Sequence, residues 1–243
     1  ASSGIGMIIT GNIMIDRRAL GEPGNVVIED ERDFEILKKW AKTVTEQGSQ
    51  LWAQLNHPGK QSPKGLNARN ISASAVPFGT EMQSLFATPD EATHDEIIEI
   101  IQRFGRSAVI CKKAGFSGVE IHAAHGYLIN QFLSPLHNLR TDEWGGTPEK
   151  RRKFLMDVYA EIRKQVGTDF PIAIKLNSAD FQKGGFTEED SLEVIKALAA
   201  AGIDLIEISG GTYESGVAKA PQKSSTIARE AFFIDFAEKV RKH

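Results

Sequence analysis

A single cysteine, Cys111, among 243 residues leaves nothing for an internal disulfide to join, which sets aside the stapled scaffolds of small secreted proteins. Long hydrophobic runs are missing too. No apolar stretch approaches the roughly 20 residues that cross a bilayer, and the first residues, "ASSGIGMIITGN", lack the basic and apolar regions of a cleavable leader. Nor is there a block of one charge: 29 Lys and Arg are interspersed with 32 Asp and Glu, for a net charge of −3. Such a surface has no electrostatic footprint for nucleic acid or an anionic membrane. These absences point to a cytoplasmic protein with small-molecule chemistry. With 41% hydrophobic residues, the chain can bury a substantial core, and residues 1–243 are expected to form one domain.

Short apolar runs alternate with longer amphipathic ones, the pattern of repeated βα units around a parallel sheet. Five strands are predicted: Gly6–Asn12, Gln50–Asn56, Gly118–Ala124, Pro171–Asn177 and Leu205–Gly211. Helices are expected near residues 33–48, 94–114, 148–166, 188–201 and 229–242. Thr93 with Glu96 reads as a capping box, Pro148 follows Thr147 at a first helical position, and Thr187 precedes Glu188 and Glu189. Gly48, Gly115, Gly167 and Gly202 mark helix ends. The fold class is α/β, with five βα units.

In a parallel barrel the active site forms where the C-terminal ends of the strands meet the βα loops. Asn12, Gln54, His122, Lys175 and Ser209 all fall at or near such ends. Any strand turns polar as it leaves a core, so an isolated Asn or Ser says little. The stretch "EIHAAHGYLINQFLSP" says more, because His122 and His125 can face one cavity and Tyr127 follows a flexible Gly126. Two histidines could ligate a metal, but no third carboxylate or thiolate is evident and no HExxH is present. Two neutral imidazoles are better suited to donate hydrogen bonds to an oxygen on which negative charge develops. A tyrosine hydroxyl, with an ordinary pKa of about 10, stays protonated near neutrality and can act as a general acid.

Together "GVEIHAAHGYLINQFLSPLHNLRTDEWGGTPEKRRKFL", "LWAQLNHPGK" and "PIAIKLNSAD" resemble the Old Yellow Enzyme family of FMN-dependent ene-reductases. The resemblance is to the branch with a second histidine where the founding yeast enzymes have asparagine. It implies a (β/α)8 TIM barrel that carries FMN, takes hydride from NADPH or NADH, and reduces a small-molecule activated alkene. It further implies that His122 and His125 bind the carbonyl or nitro oxygen of the acceptor, with His122 also beside the flavin, and that Tyr127 donates the proton. Gln54 would meet the flavin pyrimidine edge, where a neutral amide offers both donor and acceptor. Lys175 stands where the family usually has arginine, which keeps a positive charge near flavin N1 and O2 but loses the bidentate fork. Asn12 replaces a small residue near the flavin, so its side chain must turn away or make a new contact. Trp144 replaces a frequent tyrosine and is expected to pack its loop onto the barrel.

Other residues are assigned less. His57 suits a bond within its own loop, His94 at a helix start suits solvent, His137 belongs to a loop over the barrel rim, and Tyr213 is a candidate for the substrate pocket. Five βα units at roughly 49 residues each extrapolate to about 390 for eight, against ~250 for a minimal barrel. The sequence thus resembles an interior portion of the family's chain, without the first strand and the last two, whose loops would bind the FMN phosphate. Tight FMN binding by this portion alone is not expected. Metal-dependent barrel hydrolysis through His122 and His125, or a binding module without turnover, are the alternatives. Physiological substrate and the choice between NADH and NADPH are not legible, and a homo-oligomer is compatible with the sequence.

Overall fold

The structure, a computed structural model, describes residues 4–215 and 232–242. Its centre is a parallel sheet in the order β2-β1-β3-β6-β7-β8. The strands are β1 (Met7–Met14), β2 (Val26–Val27), β3 (Gln50–Asn56), β6 (Gly118–Ala123), β7 (Ile172–Asn177) and β8 (Leu205–Ser209), with a separate two-stranded pair of β4 (Ile71–Ser72) and β5 (Asp90–Glu91). Helices α1 (Phe34–Thr45), α2 (His94–Ala114), α4 (Pro148–Val166) and α5 (Glu188–Ala201) connect the long strands. A short α3 (Leu128–Leu133) follows β6, and α6 (Phe232–Val240) follows β8.

All five predicted strands form, because each apolar run alternates between two different environments. Leu51, Ala53, Leu55, Val119, Ile121, Ala123, Ile172, Ile174 and Leu176 join one buried cluster with helix residues such as Ile97, Phe104, Phe154 and Val158. Successive side chains of a strand point to opposite faces, so the intervening Trp52, Gln54, Glu120, His122 and Lys175 line the other, inner face. Gly118 is required there: a Cβ would lie 2.7 Å from the Trp52 ring.

The predicted ends shift in places for local reasons. β1 runs on to Met14 across a bulge between Ile9 and Asn12, where the Thr10 hydroxyl takes a backbone hydrogen bond from Gln54 at 2.9 Å. β8 stops at Ser209, ahead of Gly210 and Gly211. Capping boxes form at Thr93 with Glu96 and at Thr187, whose partner is Asp190 and neither Glu188 nor Glu189. Gly48 lies beyond the Glu46 cap of α1, in a following turn. β2, β4, β5 and α3 were not predicted; runs of two and six residues are too short to display a period. Of the helix expected at 229–242, residues 229–231 lie outside the described residues.

Candidate active site

The strand register brings the polar strand ends together. Asn12 pairs with Gln54, Gln54 with Glu120, His122 with Lys175, Lys175 with Glu207, and Asn177 with Ser209. The inner face therefore carries a continuous polar row whose upper end is the His122–Tyr127 turn.

That turn is built by buried amides. His125 adopts a left-handed backbone (φ +60°), which is costly for a residue with a Cβ and persists only where its surroundings over-determine it. Its N–H donates to Asn177 Oδ1 at 3.2 Å, and the next N–H, of Gly126, donates to Asn130 Oδ1 at 2.7 Å. Asp180 ties the two amides together, accepting from Asn130 Nδ2 at 3.0 Å and Asn177 Nδ2 at 3.1 Å. Asn130, Asn177 and Asp180 are fully buried. Gly126 has φ +80°, and a Cβ there would fall 2.5 Å from Gln61 Oε1. From below, α3 is latched to the loop after β3: Gln131 Nε2 donates to Pro58 O at 3.2 Å and Leu128 N–H to His57 O at 3.0 Å.

On this support three rings meet. The His122 and Tyr127 rings lie 4.8 Å apart at 80°, and those of His122 and His125 5.2 Å apart at 78°. Ala124 N–H donates to His122 Nδ1 at 3.3 Å, so a neutral ring carries its proton on Nε2. His125 Nε2 lies 2.6 Å from Ser209 Oγ. Burial holds both imidazoles neutral: His122 sits well below the usual histidine range, with the His125 and Lys175 charges adding to the effect. His125 is pushed down to about 4, again by burial and then Lys175, against an opposing Glu207. Burial raises the Tyr127 hydroxyl above the usual tyrosine range, a bond with Tyr213 reinforces it, and Asn12 opposes it. Asn12 makes its new contact here, donating from Nδ2 to Tyr127 Oη at 3.2 Å.

Below the rings, Gln54 Nε2 donates to Glu120 Oε2 at 2.6 Å, and among the described residues no donor reaches Gln54 Oε1. Lys175 Nζ donates to Glu207 Oε1 at 2.5 Å. The positive charge expected at Lys175 is thus present and paired. Burial pushes the fully buried Glu120 up to about 7; the Gln54 bond opposes this and the adjoining Glu207 carboxyl reinforces it. Burial would also raise Glu207, but bonds with Lys175 and Glu120 outweigh it and hold that carboxyl low.

Sequence reasoning missed Glu120, Glu207, Asn130, Asn177 and Asp180 as parts of the site. Glu120 carried a signal, a carboxylate inside the apolar run "GVEIHAA". Among the described residues no group of three or more His, Cys, Asp or Glu converges as metal ligands, so the HxxH pair finds no third partner there. His57 is buried and bonded within its own loop, Gly59 N–H donating to its Nδ1 at 3.1 Å. Trp144 packs as expected, with its ring buried under Lys153 and its Nε1 3.3 Å from His94 Nδ1. His137 is buried beside Lys60, 3.2 Å from Nζ. Tyr213 is half exposed next to Tyr127 and Phe86.

Comparison with known proteins places this geometry among relatives. The family model described as NADH:flavin oxidoreductase / NADH oxidase matches residues 1–243. An NADH-dependent flavin oxidoreductase of Aspergillus parasiticus is 41% identical over 97% of this chain and 55% of its own length. An NADPH dehydrogenase of Bacillus subtilis is 34% identical over 99% of this chain and 67% of its own. The chain spans about half the length of the first of these. Among solved structures, a 2-naphthoyl-CoA reductase in complex with 2-naphthoyl-CoA superposes with a TM-score of 0.87 at 29% identity, covering 99% of this chain and 38% of the other. The Old Yellow Enzyme homologue of Zymomonas mobilis superposes at 0.77 and 24% identity, over 95% of this chain and 73% of its own, and shares the fold.

Proposed function

The chain belongs to the NADH:flavin oxidoreductase / NADH oxidase family, and on that premise we propose that it forms the acceptor half of an ene-reductase site, within a partial FMN-binding TIM-barrel domain spanning residues 1–243. The family implies FMN and NADH or NADPH. Residues on the inner face fit the flavin ring: Gln54 Oε1 is left without a protein donor, and the neutral His122 pairs in register with Lys175 on the next strand. FMN, when bound, supplies the hydride that NAD(P)H has delivered to it.

The chain's own residues then do two things. The neutral His122 and His125 donate hydrogen bonds to the carbonyl or nitro oxygen of an activated alkene and stabilise the negative charge that gathers there, each well-placed donor contributing about 3 kcal/mol. Tyr127, kept protonated by burial, gives its phenolic proton to the α-carbon. The observation that carries this reading is the contact of the three rings, 4.8 and 5.2 Å between centroids, with both imidazoles neutral. The 2-naphthoyl-CoA held by a structural relative also presents a conjugated carbonyl, which brings unsaturated thioesters within the substrate class. Its partners on this reading are small molecules, in a cytoplasmic enzyme that associates, if at all, with copies of itself.

The reading is tested by titrating the flavin-loaded, full-length enzyme with a substituted phenol, an analogue of the polarised acceptor. His122→Ala and His125→Ala should each weaken binding by about 100-fold. Unchanged phenol affinity in both variants would remove the oxygen-binding role.

A further inference from the structure

The lower part of the polar row holds a carboxyl that the acceptor chemistry does not use. Glu120 is fully buried in the middle of β6, and its Oε1 has no donor partner. From β3 it faces Gln54, from β8 Glu207, and from β7 the ammonium of Lys175. Two carboxyl groups in contact need a proton between them. Glu207 takes an N–H from Lys175 and is partly exposed, whereas Glu120 has no cation bonded to it, so the proton resides on Glu120 and points to Glu207.

This assignment fixes the direction of both bonds that Glu120 makes. Once the one Glu120 proton is given to Glu207, the other Glu120 oxygen can only accept. Gln54 must therefore present its Nε2–H to Glu120, which leaves Oε1 turned away from β6. An amide otherwise free to flip by 180° is locked in one sense.

We propose that Glu120 is a positioning residue for the flavin: its carboxyl orients the Gln54 carboxamide for the pyrimidine edge of the ring and ties that edge, through Glu207, to the charge of Lys175. The inference rests on the reading of Gln54 as a flavin ligand. In the resulting arrangement Gln54 offers the ring an acceptor, Oε1, and its second N–H. Two donors, Lys175 Nζ and the Glu120 hydroxyl, converge on Glu207, and the opposite charges of Lys175 and Glu207 cancel while Glu120 holds its proton. Ionisation of Glu120 adds one negative charge beside Gln54 without releasing it, because an ionised carboxylate still accepts the same N–H.

The test measures FMN affinity by quenching of flavin fluorescence in the full-length protein, from pH 5.5 to 8.5. Glu120→Leu, which removes both bonds, should weaken FMN by about tenfold at pH 6. Glu120→Gln preserves the geometry, since its amide donates to Glu207 and accepts from Gln54, and should bind FMN within about twofold of the natural protein at pH 6. FMN's own phosphate titrates in both proteins, so the ratio of their Kd values isolates Glu120, and that ratio should bend near pH 7. A ratio constant across the range, or Glu120→Leu binding as tightly as the natural protein, overturns the proposal. If Glu120→Leu does not fold, the ratio with Glu120→Gln decides alone. Gln54→Leu separates the two layers: unchanged FMN affinity there removes the flavin reading of Gln54 itself, whereas weak binding by Gln54→Leu beside normal binding by Glu120→Leu removes only the inference.

Discussion

Replacing Tyr127 by Phe removes one oxygen and tests the proton-donor assignment directly. The hydroxyl's bond with Asn12 Nδ2 is 3.2 Å long, and both residues are only partly buried, so water can replace what is lost. Stability should change by no more than about 1 kcal/mol. The ring itself stays, and with it the edge-on contact with His122. The effect on alkene reduction should be far larger. A positioned general acid is worth about 10² to 10⁴ in rate, or roughly 3 to 5 kcal/mol of barrier at 1.36 kcal/mol per tenfold. Stopped-flow mixing separates the steps: flavin bleaching by NADH or NADPH should proceed near the normal rate, while its recolouring by an enone slows at least 100-fold. Because burial holds the phenol above its usual range, the natural enzyme's recolouring rate should also show no fall from phenol ionisation up to about pH 9. Slower bleaching with normal recolouring would refute the assignment, as would equal slowing of both.

Three further outcomes follow from the buried charges. His57 and His137 are each held near 4 by burial. The unfolded chain therefore binds more protons between about pH 6 and 4, and each such imidazole should lower stability by up to ~1.4 kcal/mol per pH unit as pH falls through that window; urea midpoints that do not drop from pH 6.5 to 4.5 would contradict this. Lys60 is 1% exposed, lies over the Phe78 ring and pairs with Glu214 at 3.3 Å. Glu214→Ala, which strands the buried ammonium, should lower stability more than Lys60→Met, by about 1 to 2 kcal/mol in thermal or urea unfolding, and the reverse order would show that the pair is not what secures these loops. Arg140, nearly buried, donates to Ala73 O at 3.1 Å and Ala92 O at 2.7 Å; Arg140→Ala orphans both carbonyls and should cost about 2 to 4 kcal/mol by the same measurement, whereas a loss below 1 kcal/mol would mean that water replaces it.

The parts of this site that the sequence exposes are those whose periodicity and chemistry coincide. Period-two alternation in "GVEIHAA" and "PIAIKLN" puts His122 and Lys175 on the face opposite the helices, and the structure keeps them there. The turn that carries His125 and Tyr127 is visible only as a motif, because its shape depends on Asn130 of α3 meeting Asn177 and Asp180 from the end of β7 and the loop after it. Asn177 and Asp180 are three residues apart, but nothing in the sequence near Asn130 betrays that it joins them, 50 residues away from Asp180. Strand lengths failed where local chemistry intervenes, as at the β1 bulge, where one threonine hydroxyl bonds to the Gln54 backbone.

Lys175 illustrates the limit most directly. The family resemblance implies a cation at the flavin from Lys175, and the structure keeps that residue on the inner face of β7. What its neighbours do to that cation depends on register, and register is a property of two strands. Pairing β7 with β8 sets Lys175 opposite Glu207, and pairing β3 with β6 sets Gln54 opposite Glu120. Shifting either strand by one residue would turn its whole alternating set to the other face, carrying carboxylates into the helix layer at a cost of several kcal/mol each. The apolar residues facing the helices, Ile172, Ile174 and Leu176 on β7 and Ile206 and Ile208 on β8, therefore enforce the pairing of Lys175 with Glu207 on the opposite face. The packing of the outer layer determines the charge presented to the inner one.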